Sequence, residues 1–218
     1  MTSPPVRPAG GAFALYLVAF FGAWTAYVLW LYPLVAGLGE GSFAEAAAGI
    51  GVRLLVWLAP VLLMLAQNDR VAPLRALGLV EHWQRGVLVG VALAILLFTA
   101  SWMRFGWPTA PYLTWNSLLG TSIGVGFFEE IPFRGYVLQK LATRMNFWFA
   151  NLLTSLLFVG VHLPGWLSLH LFDWPLAAII FAFSFAMGVL FKMTRSLWSC
   201  IIAHDANDFV SFVLFHGR

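Results

Sequence analysis

Ala12–Leu38 reads AFALYLVAFFGAWTAYVLWLYPLVAGL, 27 consecutive residues without a charged or histidine side chain. As a helix rising about 1.5 Å per residue, this run exceeds the ~30 Å hydrocarbon core of a bilayer. It is too long for a signal-peptide core and reads as a retained first span. Comparable apolar runs recur along the chain. The expected spans are about Ala46–Ala66, Gly86–Trp102, Asn116–Leu141, Phe147–His162, Pro175–Met193 and Ser196–Phe215. Together with the first they predict an all-α, polytopic transmembrane bundle of about seven helices.

Composition agrees with that architecture. Of the 218 residues 61% are hydrophobic and 10% charged, against about 25% charged in soluble domains. Eleven Trp and twenty Phe suit lipid-facing grooves and the headgroup level. The formal charge of +3 forms no basic stripe, which excludes a nucleic-acid partner. Cys200 is the single cysteine and excludes an intrachain disulfide. No internal repeat, low-complexity tract or second domain is visible, so residues 1–218 read as one transmembrane domain. The longest polar connector, Gln67–Arg85, is expected to ride the membrane surface.

The basic residues also orient the bundle. With seven spans, Arg7, Arg70, Arg75, Arg85, Lys140, Arg144, Lys192 and Arg195 fall on one side, and only Arg104 and Arg218 on the other. The positive-inside rule makes the first side cytoplasmic. The expectation is an integral protein of the cell's inner or plasma membrane, with its N-terminus in the cytoplasm and its C-terminus outside.

Within the spans lie Arg53, Glu129, Glu130, Arg134, His162, His204, Asp205 and Asp208. A charge at the bilayer centre costs at least about 2.5–3.5 kcal/mol, so such residues are kept when partnered or functional. Seven of these eight fall on three helices in the second half of the chain. Glu130 and Arg134 are four apart and share a helix face, which suits a structural ion pair. Glu129 is turned by about 100° from its neighbour and is left available for chemistry. Gly120, Gly124 and Gly126 precede the acids and permit close approach of a helix or a substrate backbone.

His204 and Asp208 also stand one helical turn apart, while Asp205 and Asn207 point elsewhere. Measured from the cytoplasmic ends of their helices, Glu129 lies about 17–22 Å deep, His162 about 24 Å and His204 about 14 Å. One Glu and two His can therefore converge inside the bilayer. A carboxylate beside a histidine can deprotonate a water, and a second histidine can meet the oxyanion formed as that water attacks a carbonyl. Glu129, His162 and His204 are equally a permissible zinc ligand set. Neither a nucleophilic-serine motif nor H-E-x-x-H occurs, which argues against serine-type and zincin-type chemistry.

These residues resemble the family of CAAX prenyl proteases and bacteriocin-processing enzymes, the Abi or CPBP family of intramembrane endopeptidases. Its pattern is E-E-x-x-x-R, then F-x-x-x-H, then H-x-x-x-N or D, each on its own transmembrane helix. Glu129-Glu130 to Arg134, Phe158 to His162, and His204 to Asp208 match in order and context over about residues 116–215, the expected catalytic core. The resemblance implies peptide-bond hydrolysis in a membrane-associated or C-terminally or leader-tagged substrate. Glu129 would be the base, His162 its partner on the water, and His204 with Asp208 the oxyanion or metal side. Glu130, Arg134 and Asn207 would support them.

An ionised Asp208 cannot donate to an oxyanion as an Asn can. Either Asp208 is protonated, or it orients His204, or Asn207 supplies the donor. No cofactor is favoured, although zinc is possible. The expected partners are the lipid bilayer and a peptide or protein substrate in or at the membrane. The competing readings are a non-catalytic immunity or scaffold protein of the same family, and a transporter or proton relay.

Overall fold

The computed structural model describes residues 10–109 and 111–215. Arg7 and Arg218, used above for orientation, lie outside them. The described residues contain helices and connectors and no strand. Helix α1 is Gly11–Ala36, α2 Phe43–Asp69 and α3 Trp83–Phe105. Helix α4 is built from the consecutive segments Val125–Glu130, Ile131–Leu138 and Gln139–Ala142. Helix α5 is Phe147–Ser168, α6 Trp174–Thr194, and α7 joins Leu197–Asp208 to Phe209–Leu214. Helices α1, α2, α3, α5 and α6 are long and apolar enough to cross a membrane. Helices α4 and α7 carry the acids and histidines singled out above. The molecule is an all-α integral membrane bundle.

Local chemistry sets the helix ends. Ser42 Oγ accepts from Glu45 N while Glu45 Oε2 accepts from Gly41 N, a reciprocal cap that opens α2. Asn146 Oδ1 takes the amides of Trp148 and Phe149 at the start of α5. Asp173 Oδ2 takes Leu176 N at the start of α6, with Pro175 in the first turn. Pro33, Pro60 and Pro132 each lie in or just beyond a stretch of wider π-type turn: Tyr27–Leu31, Leu54–Leu58 and Ile131–Leu138. Proline offers no N–H to the carbonyl four residues back, and an i→i+5 bond re-satisfies that carbonyl.

Helix α7 is the hub, packed against α3, α4 and α6. Small residues let it in. A Cβ on Gly86 would collide with Ser196 Oγ, and one on Gly90 would stand 2.8 Å from Ile202 Cβ. The apolar core lies on the other flank of α4, where Phe13, Tyr16, Phe20, Trp57, Phe133, Tyr136 and Phe158 join α1, α2, α4 and α5. Within α1 the rings of Phe13, Tyr16 and Phe20 stack, and between helices rings meet edge-on, for example Tyr16 with Tyr136 at 5.0 Å and Phe133 with Phe158 at 5.0 Å.

Three expectations change. The fourth span is not continuous: a short helical turn at Asn116–Gly120 is separated from α4 by residues 121–124, with Gly124 at φ +91°. His162 does not end α5, which continues through Pro164 to Ser168. The Gln67–Arg85 connector is not wholly superficial. Helix α2 runs to Asp69, which is buried and paired with Lys140 of α4 at 2.5 Å, and Leu77 is fully buried. A buried carboxylate needs a partner, and Lys140 supplies it.

Candidate active site

Glu129 and Glu130 lie on the first segment of α4, and Asp205 of α7 fixes where that segment begins. Asp205 Oδ1 accepts from Gly124 N at 3.1 Å and from Gly126 N at 2.7 Å. The cap on α4 is thus supplied by another helix, and a carboxylate is favoured there by the helix dipole. A Cβ on Gly126 would stand 2.8 Å from the Ile201 carbonyl and 2.9 Å from His204 Cβ, so the glycine lets α4 touch α7 beside the histidine. Gly124 and Gly126 therefore serve helix approach and capping.

Glu130 and Arg134 are fully buried and form the i,i+4 pair at 3.0 Å. The pair does more than neutralise itself. Glu130 Oε1 also accepts from His204 Nδ1 at 2.7 Å. Arg134 Nη2 donates to Ser184 O and Oγ of α6 at 2.7 and 2.8 Å, and its guanidinium lies 4.7 Å from the Phe158 ring centre. Arg134 thereby ties α4 to α6 and α5, and Glu130 carries that anchor to His204 on α7.

With Nδ1 donating to Glu130, His204 turns Nε2 toward Glu129 Oε2 at 3.8 Å and Asp208 Oδ2 at 3.6 Å. The Phe183 ring lies 4.9 Å from the imidazole, centre to centre. Asp208 takes the Asn207 amide on Oδ1 at 3.1 Å. His162 is held differently: its Nδ1 donates to the Phe158 carbonyl at 2.8 Å, and its Nε2 is the nitrogen left without a partner among the described residues.

Glu129, His162, His204, Asn207 and Asp208 all line one cavity of about 680 Å³. That is the size of sites that take drug-sized ligands. Glu130 and Arg134 stand behind it, fully buried. The cavity is also lined by Arg53 of α2, Glu45, Asn116 and Trp166. Sequence reasoning gave these no role. A lone charge in the apolar run of α2 marked Arg53, while Asn116 and Trp166 carry no comparable signal.

The zinc question changes in one respect. Metal-bound histidines pass their second ring nitrogen to a carboxylate or carbonyl, and Glu130 and Phe158 O meet that requirement for His204 and His162. Yet among the described residues no three His, Cys, Asp or Glu side chains converge as a set able to hold a metal ion.

Searches of curated proteins and of solved structures found no match. A family model described as type II CAAX prenyl endopeptidase Rce1-like matches residues 111–210. That stretch contains Glu129, Glu130, Arg134, Phe158, His162, His204 and Asp208 and leaves out α1, α2 and α3. The resemblance carried by the three motifs therefore holds, and over residues 111–210 this chain is similar to the Rce1-like family of type II CAAX prenyl endopeptidases.

Proposed function

We propose that this chain is an intramembrane endopeptidase that hydrolyses a peptide bond with a water activated by Glu129 and His162. One observation carries the reading: Glu129, His162, His204 and Asp208, from three helices, line a single cavity, with Glu129 and His204 3.8 Å apart. Glu129 accepts no hydrogen bond from a described residue, so its oxygens are left for a water. Glu129 takes a proton from that water as the oxygen attacks the carbonyl carbon. His162 accepts the water's other hydrogen bond through Nε2 and orients the lone pair. His204, doubly protonated, gives Nε2–H to the tetrahedral oxyanion. The C–N bond breaks as Glu129 returns its proton to the leaving nitrogen, giving a carboxylic acid and an amine.

Glu130, Arg134, Asn207 and Asp208 are positioning residues in this scheme. Glu130 fixes the His204 ring and Arg134 fixes Glu130. Asp208 lies against Nε2 and is itself held by Asn207, so in this scheme it acts through His204. The glutamate route is preferred to zinc because Glu129 and His162 need only share a water, whereas a metal would require three ligands to converge.

The family description makes a prenylated peptide of CAAX type the first substrate to test. Reconstituted wild-type chain is expected to cleave it, and the Ala variants of Glu129, His162 and His204 to lose at least about 10²-fold, the lower range for a positioned acid–base group. Normal cleavage by Glu129→Ala would rule out Glu129 as the base.

A further inference from the structure

Arg53 stands in the same cavity as Glu129 and His204, yet no other described residue holds its guanidinium. No hydrogen bond and no ion pair within 4.0 Å joins it to another described residue. The carboxylates that act on it electrostatically include Glu129 and Asp208, but neither closes to an ion pair. Glu45, on the same helix and lining the same cavity, is already engaged. Its Oε2 accepts from Gly41 N at 2.8 Å and its Oε1 from Asn116 Nδ2 at 3.0 Å.

Resting on the proteolytic reading above, we infer that Arg53 is an anion subsite that receives the free C-terminal carboxylate of the substrate. A half-buried guanidinium in an apolar bundle is costly until it is paired, and its planar fork matches a carboxylate in two parallel hydrogen bonds. Arg53 and Glu129 line one cavity without closing to an ion pair, and in this inference a short chain end lies between them. Its carboxylate lies on Arg53 and its scissile carbonyl lies by Glu129. Leu176, Ile179, Ile180 and Phe183 of α6 line the same cavity and give apolar side chains of that end a surface to cover. The subsite selects substrates cut close to a free C-terminus over substrates cut in mid-chain. It belongs to α2, outside residues 111–210, so the N-terminal helices contribute recognition.

The experiment uses the full chain in bilayers and two fluorogenic prenylated CAAX peptides, identical except that one ends in a carboxylate and the other in a carboxamide. Wild type is expected to prefer the acid in kcat/KM by about tenfold or more, the scale of a charge-assisted hydrogen bond. R53Q should bring the two values together, and R53K should retain part of the preference. If R53Q lowers both peptides by one factor and keeps the ratio, Arg53 serves the carboxylates of the site and the inference fails. Equal cleavage of acid and amide by wild type would also overturn it, while leaving the protease reading intact. Cleavage of neither peptide would overturn both.

Product inhibition of wild type gives a measure that does not depend on the folding of a variant. The short peptide acid should inhibit at a concentration about tenfold below its amide, and equal inhibition would contradict the subsite.

Discussion

Arg134 holds three helices at once, and its loss should be felt as instability before it is felt as chemistry. Removing it leaves Glu130 buried without its cation, at a cost of about 3–5 kcal/mol. Arg134→Ala is therefore expected to reduce folded yield and lower the detergent melting temperature. Glu129→Gln, facing the cavity, should leave the melting temperature near that of wild type. A thermal-shift comparison of the two purified variants checks this. An unchanged melting temperature for Arg134→Ala would deny the structural role. At this scale the sequence was informative about identity and less so about partnership. The i,i+4 spacing gave Glu130–Arg134, since a helix brings those positions together. It could not give the bond from Glu130 to His204, because residues 74 positions apart meet only through helix packing. The spacing of His204 and Asp208 left an orienting role as one of three readings of Asp208. In the structure Glu130 holds Nδ1, and Asp208 sits at the opposite nitrogen.

The beginning of α4 depends on a cap donated by α7. Asp205→Ala removes the acceptor for the Gly124 and Gly126 amides, and loss of a cap costs about 0.5–2 kcal/mol. Because Glu129 follows a few residues later, a further drop in kcat is expected without a matching change in KM. Asp205→Asn keeps one acceptor oxygen and should recover part of the rate. Equal kcat in wild type and Asp205→Ala would show that the cap does not position Glu129. Gly126→Val should be worse, because a side chain there meets the Ile201 carbonyl and His204 Cβ, and overpacking of this kind costs about 1–3 kcal/mol. The break before α4 was hidden in the sequence: apolar length sees residues 116–141 as one run, whereas Gly124 needs a left-handed backbone and the cap comes from 79 to 81 residues away. Helices α1, α2, α3, α5 and α6 were legible because composition alone marks a bilayer-length apolar run. Helices α4 and α7, with their acids and histidines, do not meet that criterion of length and hydropathy.

Across the whole molecule, the cavity reaches one end of the bundle through Glu40, Gly41, Tyr112 and Thr114 of the α1–α2 and α3–α4 connectors. Arg70, Arg75 and Arg195 fall in the connectors at the opposite helix ends, with Arg85 in the first turn of α3 and Lys192 in the last turn of α6. If the positive-inside rule governs insertion, the cavity mouth faces away from the cytoplasm. Cysteine labelling in intact cells of a Cys200→Ala background should therefore modify a cysteine placed at Glu40 and spare one placed at Arg195. The reverse pattern would invert the topology.

The central claim is hydrolysis by a glutamate-activated water. Its most direct test is single-turnover cleavage of a defined prenylated peptide by purified wild type and Glu129→Gln, after exhaustive chelation and with metal content measured on the same samples. The account predicts full cleavage by metal-free wild type and none by the variant. Activity lost on chelation and restored by stoichiometric zinc, or equal cleavage by the two proteins, would contradict it.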